Sequence, residues 1–249
     1  MTARLGQTAS LTDTGRRRRH NEDAFVSEPP LFAVADGMGG AQAGELASSL
    51  AAAALTDLQE HPGGGEERVD ELIQQANRRV YERQSQDASA SGMGTTMTVA
   101  LVGDGRVSIG HVGDSRAYLI RNGGLEQLTE DHSLVAELVR SGKLSPEEAE
   151  GHPQRSVITR ALGTDPDVDV DTFVVDARPG DLFLLCSDGL TDMIADELGY
   201  ASRGTVFNLI GKAVAEYDLA SAEEHLQAEL ARLGKLQSLA MPKALEGDL

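Results

Sequence analysis

The chain has 249 residues, and its 40 acidic residues outnumber its 22 basic ones, which gives a net charge of −18. This charge disfavours nucleic acid and anionic membranes as partners, although residues 16–19 form a basic run. A single cysteine, Cys186, excludes an internal disulfide framework and is typical of a reducing compartment. No apolar run reaches the roughly 20 residues of a membrane span, and no signal peptide is recognisable. We therefore predict a cytoplasmic protein that binds neither nucleic acid nor membrane.

The first predicted elements are a buried strand and two helices. The apolar run 31–35 stops at a glycine-rich segment, which is typical of a buried strand. Apolar residues then recur at helical spacing in 45–58 and in 69–80, which predicts two consecutive helices. Consecutive helices without an intervening strand disfavour a parallel βαβ arrangement.

Short β-type segments dominate the middle of the chain. Glycine-bearing turns separate them, which predicts antiparallel hairpins. A helical stretch follows at 133–139, and residues 141–155 are the candidate for a mobile flap. The predicted strands are 95–102, 106–112, 116–120, 125–128, 168–175 and 182–186. The predicted fold class is therefore α+β, with antiparallel sheets and helices on their outer faces.

Carboxylates follow the ends of three predicted strands, and others lie nearby. The acidic positions are Glu22, Asp23, Asp36, Asp114, Asp188 and Asp192. Carboxylates that converge on one spot repel each other unless a cation lies among them. Mg²⁺ and Mn²⁺ prefer such oxygen ligands. The alternative interpretation is that each Asp-Gly pair is only a turn, which we expect for Asp104-Gly105.

Arg18 is the candidate for binding an anionic substrate. A guanidinium group can bind two phosphate oxygens at once, which a lysine cannot. Arg18 lies just before the acidic pair Glu22-Asp23. The alternative is a solvated arginine within a basic run.

Seven sequence blocks occur in an order that is specific to one family. They are Asp13-Thr14-Gly15 with Arg18 and Asn21-Glu22-Asp23, Asp36-Gly37-Met38-Gly39-Gly40, Gly94-Thr95-Thr96, Gly113-Asp114-Ser115-Arg116-Ala117-Tyr118, Asp131-His132-Ser133, Thr159-Arg160-Ala161-Leu162-Gly163, and Asp181 with Ser187-Asp188-Gly189-Leu190-Thr191-Asp192. Over about residues 5–198 the chain resembles the metal-dependent serine/threonine phosphatases of the PPM (PP2C-like) family in their bacterial form.

The resemblance implies a four-layer αββα fold, in which a central antiparallel β-sandwich is flanked by antiparallel helix pairs. It divides the chain into a phosphatase core at 1–198, with a flap at 141–158, and a divergent tail at 199–249. It also implies hydrolysis of phosphoserine and phosphothreonine in proteins by a water that two Mn²⁺ or Mg²⁺ ions activate. The expected partners are phosphorylated proteins and a cognate serine/threonine kinase.

The resemblance also implies a set of metal ligands. They are Glu22, Asp36, Gly37 through its carbonyl, Asp114, Asp188 and Asp192. Asp36 would bridge two ions, Glu22 and Gly37 would complete one of them, and Asp188 would bind the other. The remaining two aspartates would form a looser third site together with Asp188.

Arg18 and Asp23 are the other implied catalytic residues, beside the bridging Asp36. Arg18 would hold the substrate phosphate, and Asp23 would orient the attacking water. Met38 occupies the position of a proposed general acid, a histidine in eukaryotic relatives, so the general acid stays unassigned.

Three further side chains have structural interpretations. His111 is expected to pack within a strand, and His132 to lie at the start of a helix. Cys186 lies in an apolar strand and is expected to be a buried structural thiol, not a nucleophile.

The segment after position 198 departs from the family pattern. Relatives carry a final Gly-x-Asp-Asn segment whose aspartate binds the first metal, and this segment is not recognisable here. Instead, the tail is predicted to form two helices, the second with a capping box at Ser221 and Glu224. Three hypotheses follow: a truncated or frame-shifted relative, a natural variant that uses another ligand or a water, and a pseudophosphatase. The last would be catalytically impaired and would act as a phosphoprotein-binding regulatory module.

Overall fold

The computed structural model describes most of the predicted core. Two candidate site residues, Arg18 and Asp192, lie outside the described residues, as does the whole tail at 199–249. The described ranges are 4–14, 19–56, 65–87 and 90–190.

The described residues form nine strands and four helices. The strands are β1 Asp23–Glu28, β2 Leu31–Met38, β3 Gly94–Thr95, β4 Met97–Gly103, β5 Arg106–Val112, β6 Arg116–Arg121, β7 Gly124–Gln127, β8 Asp171–Asp176 and β9 Leu182–Cys186. The helices are α1 Ala41–Thr56, α2 Glu66–Gln86, α3 Leu134–Arg140 and α4 Pro146–Glu150. In this part of the chain, no helix is both long enough and apolar enough to cross a membrane.

Two antiparallel sheets account for the described strands. The larger has the order β1-β2-β4-β5-β8, with β3 added against the end of β2, and the smaller has the order β7-β6-β9. Every pairing is antiparallel. The α+β prediction is thus confirmed.

Apolar side chains form two layers, one on each face of the larger sheet. Helices α1 and α2 pack over one face of the larger sheet. Ala47 and Ala51 of α1 are fully buried, and their small side chains let this helix approach the sheet closely. The second layer lies between the sheets, where Val107 and Ile109 of β5 meet Phe183 and Leu185 of β9. Burial of these apolar surfaces is the main force that holds the layers together.

Turn chemistry explains two of the hairpins. Asp104 and Gly105 between β4 and β5 have φ values of 51° and 73°, and Asn122 and Gly123 between β6 and β7 have 52° and 75°. Two successive positive φ values match the right-handed twist of a tight hairpin and favour Asn, Asp and Gly. The expectation that Asp104-Gly105 is only a turn is confirmed.

Two details of the predicted strands are wrong. The strand predicted at 95–102 is interrupted at Thr96, whose backbone N–H donates to the Asp36 carbonyl instead of continuing the ladder (2.9 Å). The predicted hairpin around Gly113 does not form either, because β5 belongs to the larger sheet and β6 to the smaller. The chain crosses between the sheets at Gly113, where φ is +109°.

Candidate active site

The ends of β1 and β2 bring the first acidic residues together. Asp23 lies directly opposite Asp36 in the antiparallel pairing, so both side chains lie on one face with Cβ atoms about 5 Å apart. The N–H of Gly37 donates to the carbonyl of Glu22 at 3.0 Å. Four of the predicted site residues thus lie at one end of the neighbouring strands β1 and β2.

Glycine is required at position 37. A Cβ atom built there would clash with the backbone carbonyl of Gly44 in the first turns of α1. The absence of a side chain lets α1 pack directly against the end of β2. This close packing positions the Asp36-Gly37 backbone, whose carboxylate and carbonyl are candidate ligands.

Hydroxyl groups link Asp36 to the loop that carries Asp114. The N–H of Asp36 donates to Thr96 Oγ1 at 2.9 Å, and Thr96 Oγ1 lies 2.6 Å from Ser115 Oγ. A hydroxyl has one proton and two lone pairs, so Thr96 Oγ1 can accept from Asp36 and share a hydrogen bond with Ser115 in which either hydroxyl donates. Asp36 of β2 and Asp114, the neighbour of Ser115, are therefore connected through a buried polar chain.

A second hydroxyl links the smaller sheet to the same place. Ser187 follows β9, and its Oγ donates to Asp23 Oδ2 at 2.8 Å. The next residue is Asp188, which is half-buried. The end of β9 is therefore anchored beside the Asp23–Asp36 pair.

The described part of the site consists of oxygen donors. Carboxylates of Glu22, Asp36, Asp114 and Asp188 and the Gly37 carbonyl are the donor types that Mg²⁺ and Mn²⁺ prefer. Among the described residues, no three His, Cys, Asp or Glu side chains converge closely enough to form a metal cluster. The donor chemistry therefore fits hard divalent ions, while the convergence seen in the described residues is pairwise.

His111 and His132 are both buried, with 0% and 4% of their surface exposed. Their rings lie 4.8 Å apart. The pKa of His111 is lowered to about 4, mainly because burial disfavours the cation, and the neighbouring His132 lowers it further. Both rings make hydrogen bonds to protein groups, and the structural interpretation of both residues is confirmed.

Cys186 is also buried, at 7% exposure. Burial raises the pKa of its thiol to about 12, so the sulfur is protonated at neutral pH and is a poor nucleophile. The expectation of an inert structural thiol is confirmed.

Backbone hydrogen bonds join the end of the predicted flap at 141–158 to residues 132–134, which precede it. The N–H of Leu134 donates to the Val157 carbonyl and that of Thr159 to the His132 carbonyl, both at 2.9 Å. Between these anchors, Ser145 and Glu148 form a capping box at the start of α4. That this segment acts as a flap stays a prediction.

Sequence reasoning missed the residues that connect the acidic positions. No role was predicted for Thr96, Ser115 and Ser187, although all three lie within the family blocks. His132 lies there too. Their position inside those blocks, next to the acidic residues, was the available signal.

Comparison with known proteins identifies the family. The sequence pattern of the family described as Protein phosphatase 2C matches residues 14–231. The serine/threonine phosphatase stp of Listeria monocytogenes serotype 4b (strain F2365) is 43% identical over 196 residues, which cover 74% of this chain and 78% of that protein. The chain therefore belongs to the protein phosphatase 2C family.

Solved structures agree with this assignment. The crystal structure of the Mycobacterium tuberculosis serine/threonine phosphatase PstP/Ppp matches with a TM-score of 0.70 and 38% identity, over 83% of this chain and 92% of that one. The catalytic domain of PstP in complex with two manganese ions matches with a TM-score of 0.66 and 36% identity, over 84% and 93% of the two chains.

These findings confirm the predicted family, fold and enzyme class. The chain is a metal-dependent protein serine/threonine phosphatase, its substrates are phosphoproteins, and the cofactors of its family are Mn²⁺ and Mg²⁺. The alternative of a pseudophosphatase is not favoured. The domain division at 198 and the individual site roles stay predictions.

Proposed function

We propose a specific set of residues for the metal-dependent reaction. The ligands are Glu22, Asp36, the Gly37 carbonyl, Asp114, Asp188 and Asp192. The observation that carries this proposal is the direct pairing of Asp23 with Asp36 beside the Gly37–Glu22 hydrogen bond. When bound, two such ions supply positive charge against the phosphate and activate a water for attack.

Asp23 orients the attacking water in this proposal. The hydrogen bond from Ser187 Oγ fixes the direction of its carboxylate, and a carboxylate held in this way can accept a hydrogen bond from water. Arg18 binds the substrate phosphate, because a guanidinium group matches two phosphate oxygens. Neither His111 nor His132 is placed to protonate the leaving group, since both rings are buried and engaged with protein groups.

The experiment compares Asp36→Asn with Asp104→Asn in hydrolysis of a phosphothreonine peptide. Loss of the Asp36 carboxylate removes a ligand, so Mn²⁺-dependent turnover falls by more than about 100-fold. Asp104 is exposed in a hairpin turn where asparagine keeps the left-handed conformation, so this control retains wild-type turnover. Equal activity of the two variants with Mn²⁺, and equal loss with EDTA, would contradict the assignment of Asp36.

We further propose that the enzyme works in the cytoplasm opposite a cognate serine/threonine kinase, away from nucleic acid and membranes. The support is the net charge of −18 and the single cysteine. Retention of the purified protein on DNA or RNA at low salt would overturn the part that concerns nucleic acid.

A further inference from the structure

His132 is a buried polar side chain to which the proposed mechanism gives no role. His132 lies next to Ser133, the N-cap of α3, and is 4% exposed. Both of its ring nitrogens have polar neighbours, which is more than packing alone requires.

The hydrogen bonds of His132 determine where its ring proton lies. The N–H of Gly113 donates to Nδ1 at 3.0 Å, so Nδ1 carries no proton. The proton of the neutral ring is therefore on Nε2, which donates to Asp171 Oδ2 at 3.0 Å. Arg160 Nη1 also lies 3.0 Å from Nε2, but a guanidinium only donates, so its contact with the protonated nitrogen is not a hydrogen bond. The guanidinium of Arg160 donates to the other oxygen of Asp171 at 2.6 Å and holds this acceptor in place.

The same residue binds both backbone groups of Gly113. Its own N–H donates to the Gly113 carbonyl at 2.7 Å, while its ring accepts the Gly113 N–H. On the other side, a Cβ atom at Gly113 would lie 2.6 Å from Thr96 Cβ. Gly113 is thus clamped between His132 and Thr96, and the next residue is Asp114.

We propose that His132 is a positioning residue for Asp114: its ring accepts the Gly113 N–H and so fixes the backbone that aims the Asp114 carboxylate. This inference rests on the proposed role of Asp114 as a ligand of the looser third ion. It assigns to the histidine a part in metal binding that is separate from its contact with Asp171.

Two variants separate these contacts. In His132→Asn, the side-chain oxygen takes the place of Nδ1 and can still accept from Gly113, but the side chain is too short for Asp171. In His132→Gln, the amide N–H takes the place of Nε2 and can still donate to Asp171, while the Gly113 acceptor is lost. Thermal unfolding of both variants measures the loss of fold stability separately from any change in metal binding.

The readouts are the Mn²⁺ concentration for half-maximal hydrolysis of p-nitrophenyl phosphate, KM at saturating Mn²⁺, and Mn²⁺ binding measured by calorimetry without substrate. We expect His132→Gln to raise the half-maximal Mn²⁺ concentration about tenfold, with a matching loss of affinity in calorimetry and an unchanged KM. His132→Asn should stay within about threefold of the wild type. The proposal is overturned if His132→Gln raises the half-maximal Mn²⁺ concentration by the same factor as His132→Asn, or by a smaller one.

The wild-type protein gives a test that does not depend on variants. In ¹⁵N NMR of the histidine side chains, the proposal requires a neutral His132 with its proton on Nε2. A proton on Nδ1 contradicts the contact with Gly113 and overturns the proposal.

Asp114→Asn distinguishes failure of this inference from failure of the proposed function. If Asp114→Asn weakens Mn²⁺ binding but His132→Gln does not, only the inference fails. If Asp114→Asn leaves Mn²⁺ dependence unchanged, the ligand assignment of Asp114 fails, and the inference fails with it.

Discussion

The two sheets of the described region are stabilised in different ways. The larger sheet is covered by α1 and α2, and its core is made of fully buried apolar residues. The smaller sheet is stabilised at its ends by two bidentate ion pairs. They join Arg116 to Asp131 (2.8 and 2.6 Å) and Arg121 to Asp181 (2.8 and 2.6 Å). Apolar burial has no directional preference, whereas these contacts fix the orientation of a strand. The sheet that carries Asp188 is thus oriented by directional contacts.

The proposed active site lies where the two sheets meet, and hydroxyl groups join them there. Thr96 of the larger sheet contacts Ser115, at the start of the smaller one, and Ser187 after β9 contacts Asp23 of β1. Apolar burial thus holds the layers together, and in our proposal these short polar contacts position the acidic groups. Three variants test this division.

Thr96→Val should have the largest effect of the three. Valine fills the same space but leaves the Asp36 N–H and the Ser115 hydroxyl without their buried partner, which lowers the free energy of unfolding by about 1–3 kcal/mol. Because Asp36 then loses its support, we expect Mn²⁺-dependent turnover to fall about tenfold. Thr96→Ser keeps the hydroxyl and should retain most of the activity, as kinetics and urea unfolding would show. A Val variant as active as the Ser variant would show that this hydroxyl does not position Asp36.

Ser187→Ala should affect turnover more than stability. It removes one half-buried hydrogen bond to Asp23, which costs about 1 kcal/mol of unfolding free energy, but it frees the carboxylate that we propose orients the water. We expect kcat to fall by a factor of about five, since this contact acts through Asp23. In the control, Ser85→Ala, an exposed hydroxyl bonded to the Tyr81 carbonyl is lost, and kcat should not change. A drop in stability with no change in kcat would place Ser187 among purely structural residues.

Asp181→Asn should give the smallest effect, and one that depends on pH. The hydrogen bond from Arg121 lowers the pKa of Asp181 below its ordinary value, although burial acts in the opposite direction. The lowered pKa means that the ion pair contributes its full stability above about pH 4, the ordinary aspartate value. This contribution is lost as the pH falls through the lower folded-state pKa.

The measurement for Asp181 is urea unfolding of wild type and Asp181→Asn between pH 7 and pH 3. The difference in the free energy of unfolding between the two proteins should be constant near pH 7 and decrease as the pH falls toward 3. Asp176→Asn serves as the control, since the Asp176 side chain is 88% exposed and lies 3.4 Å from Arg106. If Asp181→Asn lowers the free energy of unfolding at pH 7 no more than this control does, the ion pair does not stabilise the smaller sheet.

Local signals in the sequence predicted most elements of the fold, although β1 at Asp23–Glu28 and α4 at Pro146–Glu150 were missed. The hairpin at Asn122-Gly123 follows from residues that tolerate positive φ, and the apolar run 182–186 became β9. The sheet to which a strand belongs is not a local property, so the crossing at Gly113 was missed. Likewise, the interruption at Thr96 depends on Asp36, 60 residues away.

The acidic residues of the proposed site could be selected from the sequence for a different reason. Aspartates after buried strands and the order of the family blocks pointed to them directly. Their connecting hydroxyls were not predictable, because Ser187 meets a partner 164 residues away and Ser115 one 19 residues away. Such contacts depend on how the two sheets are arranged.

The central claim is that the ends of both sheets supply ligands to one metal centre. The most direct test is a crystal structure of the Mn²⁺-loaded protein, with anomalous diffraction at the manganese edge to locate the ions. We expect manganese bound by Asp36 from the larger sheet and by Asp188 from the smaller one. Manganese bound by carboxylates of one sheet alone would contradict it.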